Sequence, residues 1–291
     1  MVHYSQKSDI AVIIVLYHPS EDDLENVRIL SNHYYGVIID NSDEANFTED
    51  KIGEMHYQPL MHNVGIAEAH NQGISIITRE GKAKHVVLLD QDSRYPIDYP
   101  TRISDEFNSL EKDITNLAAL GPTVIQKDTG EEYRSVIHHD KYLTDNFIER
   151  KEIIASGCCI SIKSIMTIGY FDSSLFIDFV DTEWCFRAHS IGYRCGITTN
   201  IKIYHKVGKN ELHIGKHLVS ISDPFRYYYQ YRNYLILLSR NYVPLSFKTN
   251  FGIKFLCRFF YFPLFVEHGT ECWKYMTKGI IAGLTLQFKK K

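Results

Sequence analysis

One apolar run that ends in two carboxylates limits what this chain can fold into more than any other stretch. Residues 86–89 are all Val or Leu, and Asp90 and Asp92 follow them, one residue apart. An apolar run that closes on a polar turn is typical of a strand buried on both faces of a parallel sheet. Open α/β sheets bind their ligands where such strands end, so the sequence predicts a ligand site at Asp90.

Asp90 and Asp92 are also candidate metal ligands. Carboxylates at i and i+2 point the same way as long as strand geometry persists. Two such oxygen donors suit a hard divalent cation, Mg²⁺ or Mn²⁺, whose coordination shell is completed by phosphate oxygens and water. The alternative is a polar loop that carries both residues by chance, because Asp-x-Asp is a common tripeptide.

The preceding stretches predict alternating strands and helices. Residues 10–17 form an apolar strand, Ser20 caps a helix, and residues 37–39 form a further strand that ends at Asp40 and Asn41. At this spacing the three elements make a right-handed βαβ unit, and its strands end at the edge already described.

A second helix begins after Gly65 and leads into the Asp90 strand. Gly73 lies inside this helix, where glycine costs about 1 kcal/mol relative to alanine, so we expect a packing reason for it. The alternation predicts an α/β fold with at least three parallel strands. The chain lacks a Gly-x-Gly-x-x-Gly loop, which excludes a dinucleotide-binding Rossmann site.

The later patterns are less regular. We predict a helix over 104–110, a strand over 117–124 that is broken at Gly121-Pro122, and a hairpin or surface loop over 126–152. A strand pair follows over 153–162, in which Gly157 lets the backbone approach a ligand. An edge strand over 201–205 and a helix over 225–239, whose tyrosines pack, complete the series. The six cysteines form no Cys-x-x-Cys motif, so we expect free, buried thiols.

Asp181 and Glu183 make a second acidic stretch. Asp181 fits the N-cap of a helix and Glu183 its first turn, and a cap role alone is one interpretation. A cap role lowers the pKa of a carboxyl and weakens it as a base. A base here therefore needs an acceptor hydroxyl held within hydrogen-bond reach.

Charge is unevenly distributed along the chain. The net charge is −3, yet residues 1–200 carry 17 Lys and Arg against 31 Asp and Glu, and residues 201–291 carry 15 against 4. This asymmetry predicts that the C-terminal part faces an anionic partner: lipid headgroups, nucleic acid or the acidic part of the same protein.

The C-terminal composition favours a membrane surface. Residues 251–266 are apolar and aromatic, but Lys254, Arg258 and Pro263 interrupt them, so the stretch is too short and too charged to span a bilayer. Aromatic residues with spaced cations suit the membrane interface, and the lysines at 289–291 add about 1 kcal/mol per charge near an anionic leaflet. The alternative is a helical subdomain packed on the rest of the chain, or a homodimer interface. The N-terminus lacks a signal-peptide core, so we expect a location on the cytoplasmic side.

Taken in order, several of these stretches resemble inverting glycosyltransferases of family two, which have the nucleotide-sugar-binding GT-A fold. They are Leu16-Tyr17-His18-Pro19, Asp40-Asn41-Ser42, residues 63–67 with Asn71 and Gly73, Leu88-Leu89-Asp90-Gln91-Asp92-Ser93, Asp181-Thr182-Glu183-Trp184, and His205. The Asp90 motif and Tyr231-Arg232-Asn233 more narrowly resemble bacterial rhamnosyltransferases of surface-polysaccharide (O-antigen or capsule) biosynthesis. The resemblance implies a GT-A mixed sheet flanked by helices over residues 1–220, with a nucleotide-binding half to about 95, an acceptor half from about 96, and a helical membrane-associating or oligomerising region over 221–291.

The resemblance also implies residue roles. The nucleotide contacts are Tyr17, His18, Asp40, Asn41, Gly65, Asn71 and Asp90, and the metal ligands are Asp90, Asp92 and His205. Asp181 is the implied catalytic base. Glu183 stays an alternative, because the family usually has Glu-Asp where this chain has Val180-Asp181.

The implied reaction is transfer of L-rhamnose from dTDP-β-L-rhamnose to a lipid-linked oligosaccharide at the inner face of the plasma membrane, with Mg²⁺ or Mn²⁺. Two alternatives stay open: a UDP-hexose or galactofuranose donor, and a non-catalytic nucleotide-sugar-binding assembly protein. A homo-oligomer is compatible with both. Nucleic-acid binding is disfavoured because the basic residues are interleaved with aromatics and form no recognisable module.

Overall fold

A ten-stranded mixed sheet organises the described part of the chain. The computed structural model describes residues 9–92, 94–126, 130, 132, 140–205, 210–214 and 217–288, with side chains omitted at 126, 204–205, 210–214, 217–220 and 287–288. Ser93, the His205 side chain and the lysine cluster at 289–291 therefore lie outside the described residues.

Strands and helices follow one another in the first hundred residues, with three successive strands between the first two helices. The strands are β1 (Ile10–Leu16), β2 (Gly36–Asp40), β3 (Lys51–Ile52), β4 (Met55–Pro59), β5 (His85–Asp90), β6 (Leu117–Gln126), β7 (Lys141–Thr144), β8 (Phe147–Glu149), β9 (Cys159–Ser161), β10 (Arg194–His205), β11 (Asn210–Ile214) and β12 (His217–Ile221). The helices are α1 (Glu21–Ser31), α2 (Ile66–Glu80), α3 (Tyr99–Leu110), α4 (Ile162–Ile168), α5 (Val180–Ser190), α6 (Pro224–Leu238), α7 (Leu245–Phe265) and α8 (Gly269–Phe288), with a 3₁₀ turn over Ser173–Leu175.

The predicted parallel half of the sheet is confirmed. Strands β4, β2, β1 and β5 are adjacent and parallel, so their carboxyl ends share one edge. Ser20 caps α1 through a capping box with Asp23, as the sequence indicated. Gly73 of α2 lies against Ile13 of β1, where an added Cβ would come within 2.8 Å of the Ile13 methyl carbon. This contact is the packing reason expected for that glycine.

The second half of the sheet is mixed. β9 runs antiparallel between β5 and β6, and β6 pairs with β10 in parallel. The hairpin of β7 and β8, predicted within 126–152, extends the sheet at its far edge. The α/β class with a mixed sheet is thus confirmed.

Two predictions for this half are wrong. The strand over 117–124 does not break at Gly121-Pro122 but runs on to Gln126. Pro122 has no N–H to donate to a neighbouring strand. It is tolerated because the pairing of β6 with β9 ends at Leu120, and because the pairing register of β6 with β10 shifts directly after Pro122 and its partner Thr198.

The strand pair over 153–162 is the second error, because only β9 forms there and α4 follows it at once. Gly157, with φ +75°, turns the chain so that its N–H donates to the Leu88 carbonyl at 2.7 Å. The space beside its Cα is filled by the hydroxyls of Tyr95 and Tyr99. The residues before β9 therefore run irregularly past the end of β5.

The described residues form three apolar clusters that stabilise the fold. Alternate side chains of β1 point into two clusters, one on each face of the sheet. A third cluster joins α6, α7 and α8 to α5 through Phe186, and it buries Tyr227 and Tyr231 among phenylalanines. The tyrosines of α6 therefore pack, as predicted. Among the described residues, no helix combines the length and apolarity that a membrane crossing requires.

Candidate active site

The sheet brings together three of the polar strand ends predicted from the sequence. Leu16 of β1 pairs with Asp40 of β2, and Val15 pairs with Asp90 of β5. Tyr17 follows directly after β1, so Tyr17, Asp40 and Asp90 lie on neighbouring strands at one edge. This edge is where an open α/β sheet binds its ligand.

Gln91 ties the loop after β1 to the loop after β5. Its Oε1 accepts from the Tyr17 N–H at 2.7 Å, and its Nε2 donates to the Tyr17 carbonyl at 3.2 Å. Tyr17 and His18 are both exposed, with ring centroids 4.4 Å apart. Two exposed rings at this edge offer a surface on which a planar base can stack.

Asp40 is fully buried and holds the loop that follows β2. Its oxygens accept from the Tyr57 hydroxyl at 2.6 Å, from the Asn46 N–H and amide at 2.9 Å, and from the Ser42 N–H at 3.1 Å. Burial alone would raise the pKa of Asp40, but these hydrogen bonds outweigh it and lower that pKa. The side chain thus stays ionised and organises the loop.

Asn41 connects the same loop to the start of α2. Its Nδ2 donates to Asn63 Oδ1 at 2.9 Å, and its Oδ1 accepts from the Val64 N–H at 2.8 Å. Gly65 has φ +84°, and a Cβ there would lie 2.5 Å from the Phe176 ring. Only glycine satisfies both the backbone angle and this approach.

Asn71 joins α2 to the segment that precedes α5. Its Nδ2 donates to the Phe171 carbonyl and its Oδ1 accepts from the Phe171 N–H, both at 2.9 Å. Its Nδ2 also lies 3.0 Å from Ser173 Oγ. Asn71 therefore links the first half of the chain to the second.

Asp90 ends the central strand as predicted, but strand geometry does not persist to Asp92. Asp90 is the last residue of β5 and partly buried, whereas Asp92 lies exposed in the following turn. Carboxylate oxygens at an open edge fit a hard divalent cation. Among the described residues no group of three His, Cys, Asp or Glu side chains is placed to hold a metal ion, so a cation here needs phosphate oxygens and water as further ligands.

Asp181 is not the N-cap of α5, which corrects the expectation from its sequence position. The cap is Phe179 in the left-handed region, and Asp181 is the second helical residue. Its carboxylate accepts from the Thr182 N–H at 2.8 Å and the Ala155 N–H at 3.1 Å. Because Ala155 lies in the irregular stretch that also bonds to β5, this contact ties Asp181 to the strand that carries Asp90.

The environment of Asp181 raises its pKa, contrary to the lowering expected from a cap. Burial raises the pKa of Asp181, and the hydrogen bonds from Thr182 and Ala155 offset this only in part. A cavity of about 10 Å³ adjoins the residue, with Ile153 and Trp184 in its apolar wall. Part of the residue still reaches solvent. A carboxyl with a raised pKa is a stronger proton acceptor than an ordinary carboxylate.

Glu183 lies in a very different environment. It is fully buried, and Arg187 contacts both of its oxygens at 2.9 Å. Oε1 also accepts from the Tyr242 hydroxyl at 2.5 Å, and Arg240 lies 3.5 Å away. Because Arg240 and Tyr242 lie after α6, Glu183 ties α5 to the residues that follow α6.

No protein-family model matches the chain. A search of characterised proteins finds the dTDP-rhamnosyl transferase RfbF of Shigella flexneri, 32% identical over 255 residues that cover 82% of each chain. This chain belongs to the glycosyltransferase family that includes RfbF. It is therefore a glycosyltransferase, which confirms the family resemblance of its motifs.

Solved structures confirm the GT-A fold of this glycosyltransferase. Residues 1–349 of S. aureus TarS in complex with UDP-GlcNAc superpose with a TM-score of 0.53 at 12% identity, covering 94% of this chain and 81% of that one. GalNAc-T7 with UDP, GalNAc and Mn²⁺ gives 0.51 at 12% identity, with coverages of 93% and 54%. The chain thus spans about half the length of GalNAc-T7, and 46% of a longer TarS chain.

The segment before α5 of this glycosyltransferase has unusual backbone angles. Phe176, Asp178 and Phe179 have φ of 65°, 66° and 63°, in the region that favours glycine. Each such residue costs on the order of 1–3 kcal/mol, and the conformation persists only where the surrounding structure holds it. Arg226 of α6 binds the Asp178 carboxylate through Nη2 at 2.6 Å and Nε at 3.2 Å.

Sequence reasoning missed Gln91, Tyr242 and Arg226 as residues that shape the site. Gln91 stood between two predicted ligands, and this position was the only signal available for it. Tyr242 and Arg226 contact residues 59 and 48 positions away, and no periodic pattern records such contacts.

Proposed function

We propose that this glycosyltransferase transfers L-rhamnose from dTDP-β-L-rhamnose, with inversion, to a hydroxyl of a lipid-linked oligosaccharide in surface-polysaccharide assembly. The relative RfbF is named a dTDP-rhamnosyl transferase, which supports the donor. The observation that carries the mechanism is the position of Asp181. The residue is half-buried, the pKa of its carboxyl is raised, and it accepts from the Ala155 N–H in the stretch that also bonds to the strand carrying Asp90.

The donor nucleotide is proposed to bind along the edge formed by β2, β1 and β5. Tyr17 and His18 present exposed rings for the base. Asp40, Asn41 and Asn71 are engaged with backbone groups of the surrounding loops, so they support the nucleotide site by holding those loops. Gly65 contributes its backbone at the start of α2, where helix N–H groups favour an anion.

Asp90 and Asp92 are proposed to hold Mg²⁺ or Mn²⁺, with His205 as the third protein ligand implied by the resemblance. Hard carboxylate oxygens at the edge of the sheet suit either ion. A cation bound there would neutralise the charge that develops on a departing diphosphate.

Asp181 is proposed to act as the general base. Its carboxylate takes the proton of the acceptor hydroxyl while the hydroxyl oxygen bonds to the anomeric carbon. The bond between that carbon and the diphosphate oxygen breaks, and dTDP leaves with the electron pair. Attack on the face opposite the leaving group inverts the anomeric centre. Glu183 is unsuited to this role because Arg187 and Tyr242 engage its carboxylate in the interior.

The acceptor is proposed to be reached at an anionic membrane surface on the cytoplasmic side, with residues 221–291 as a separate helical region. α7 presents exposed apolar side chains at helical spacing, namely Leu245, Ile253, Leu256, Phe260 and Leu264. Its opposite face is buried in the third apolar cluster. An exposed apolar stripe on a basic helical region fits the interface of an anionic bilayer.

Vesicle co-sedimentation tests the membrane proposal. Phe260→Asp should reduce binding to phosphatidylglycerol vesicles, whereas Ile29→Asp, an exposed apolar position on α1, should leave binding unchanged. Equal binding by both variants would contradict the membrane role of α7.

Isothermal titration tests the donor and the cation together. The purified chain is titrated with dTDP and with UDP, each with Mn²⁺ and with chelator. Tighter binding of dTDP that depends on Mn²⁺ supports the proposal. Preference for UDP retains the fold and replaces the donor, and dTDP binding without turnover indicates a non-catalytic binder. A lack of nucleotide binding would contradict the catalytic function.

A further inference from the structure

Asn233 of α6 donates its side-chain amide to the segment before α5. It is fully buried, and its Nδ2 lies 2.8 Å from the carbonyl oxygens of Leu175 and Ile177 and 3.0 Å from that of Asp178. Leu175 ends the 3₁₀ turn, and Ile177 and Asp178 lie in the irregular stretch between that turn and α5. A single buried amide therefore donates to three backbone carbonyls, of which that of Leu175 also accepts from the Ile177 N–H at 2.7 Å.

Arg232 completes the contact and orients the amide. Its Nη2 donates to the carbonyls of Ser174 at 2.7 Å and Leu175 at 2.9 Å. Its Nε donates to Asn233 Oδ1 at 2.9 Å, so the amide oxygen faces the guanidinium and the amide nitrogen faces the carbonyls. The two side chains form one unit, which we call the carbonyl clamp.

The carbonyl clamp contacts the strained stretch of backbone. Phe176, Asp178 and Phe179 hold positive φ angles that non-glycine residues leave when nothing restrains them. Phe179 is also the N-cap of α5, and Asp181 follows two residues later. A relaxation of this stretch would shift the first turn of α5 and, with it, the carboxylate of Asp181.

The helix that carries the clamp, α6, is packed firmly against α7. The neighbouring Tyr231 is buried, donates its hydroxyl to the Phe255 carbonyl at 2.7 Å, and stacks on the Phe255 ring. Helix α6 is thereby fixed to α7 within the third apolar cluster. The C-terminal helices thus supply a fixed support for the start of α5.

We propose that Arg232 and Asn233 are positioning residues that hold residues 174–179 in their strained conformation and so place the Asp181 carboxylate for proton transfer. This inference rests on the proposed function, because it acts through the base named there. It gives the C-terminal helices a role in catalysis besides contact with a membrane.

Hydrogen–deuterium exchange on the full chain tests whether the clamp holds the segment. The variants are Asn233→Leu, which keeps the volume but cannot donate, and Arg232→Gln. The control is Arg258→Gln, which removes a half-buried guanidinium that also contacts α6, through Gln230, but not residues 174–179. We expect amides of residues 174–182 to exchange at least about tenfold faster in both clamp variants and to be unchanged in the control. Unchanged exchange in the clamp variants overturns the proposal.

Turnover tests whether the clamp acts through Asp181. Release of dTDP from dTDP-β-L-rhamnose is measured for the same variants, and for Asp181→Asn alone and combined with Asn233→Leu. The clamp variants should lower kcat by about a hundredfold with little change in KM for the donor. The double variant should be no slower than Asp181→Asn, because effects through one group do not add.

The outcomes separate the inference from the function on which it rests. If Asp181→Asn is inactive and the clamp variants keep wild-type kcat, or if the double variant shows additive losses, the positioning role is overturned and the base assignment stands. If Asp181→Asn keeps its turnover, the proposed base is wrong whatever the exchange data show. Arg232→Lys keeps one charged donor and should recover part of the lost kcat, whereas equal loss in Lys and Gln variants argues against the clamp.

Discussion

The two parts of the candidate site are held in place by different means. At the edge of β2, β1 and β5, ladder hydrogen bonds fix the strand ends, and the loop partners of Asp40 lie within 17 residues of it. The segment before Asp181 has no ladder, and Asn233 satisfies its carbonyls from more than 50 residues away. Regular strand pairing therefore dictates the edge, and individual side-chain contacts dictate the segment.

The same difference appears in the carboxyl groups. Both Asp40 and Asp181 are desolvated, yet the pKa of Asp40 is lowered and that of Asp181 is raised. Asp40 accepts hydrogen bonds of at most 3.1 Å from a hydroxyl, a side-chain amide and backbone N–H groups. Asp181 accepts from two backbone N–H groups and, at 3.4 Å, from the Thr182 hydroxyl, and it adjoins an apolar cavity. A carboxyl saturated with donors is a structural anion, and one with few donors is able to take up a proton.

The largest expected effect is on turnover, from Asp181→Asn. Removing the proposed base should lower kcat about 10²–10⁴-fold and leave dTDP affinity unchanged, because Asp181 is not among the residues proposed to hold the nucleotide. Release of dTDP and titration with dTDP measure the two quantities.

The pH profile is the control for this variant. Since burial raises the pKa of Asp181, wild-type kcat should fall with decreasing pH at values above the usual carboxyl range. The residual activity of Asp181→Asn should lack this acid limb. An acid limb that persists in the variant would assign the base to another residue.

Glu183→Gln should act on stability. The substitution removes the negative charge from a buried ion pair with Arg187, and breaking such a pair costs about 3–5 kcal/mol of unfolding free energy. Urea unfolding measures the loss, with Asp181→Asn as the matched variant two residues away. An unchanged unfolding midpoint combined with lost turnover in Glu183→Gln would instead make Glu183 the base.

Gly65→Ala should have a smaller effect on stability. The new methyl group meets the Phe176 ring and the φ of +84° becomes strained, so we expect a loss of about 1–3 kcal/mol. Gly81→Ala is the control, because Gly81 also has a positive φ, of +64°, but an added Cβ there has no neighbour within 4 Å. Equal losses in both variants would show that the positive φ alone, and not the contact with Phe176, explains why residue 65 is a glycine.

The regular half of this fold could be predicted from its sequence. The apolar runs predicted β1, β2 and β5, because a strand buried on both faces needs consecutive apolar residues. Ser20 marked the start of α1, because a helix cap depends on residues that are close in the chain. The common edge of the strands followed from their parallel order.

The irregular half could not be predicted in the same way. Phe179 became the cap in place of Asp181 because side chains of α6 stabilise a left-handed conformation that its own sequence disfavours. The predicted strand pair failed because Gly157 bonds to Leu88 and leaves only β9 extended. Sequence reasoning also placed Asn71 in the site region but gave no sign that its amide would be bonded to Phe171.

The smallest expected effect concerns the pH dependence of stability, and it tests the contrast between Asp40 and Asp181 directly. The pKa of Asp40 is lowered in the folded state, so its stabilising contribution is present above its unfolded pKa and is lost as pH falls through the folded pKa. The pKa of Asp181 is raised, so its contribution is present below the unfolded pKa and is lost as pH rises through the folded pKa.

The unfolding free energies of wild type, Asp40→Asn and Asp181→Asn are measured in urea between about pH 3 and pH 7. As pH rises, the stability advantage of wild type over Asp40→Asn should grow, and its advantage over Asp181→Asn should shrink. Differences that change in the same direction would mean that the two carboxyls share one electrostatic role, and the distinction between structural anion and proton acceptor would fail.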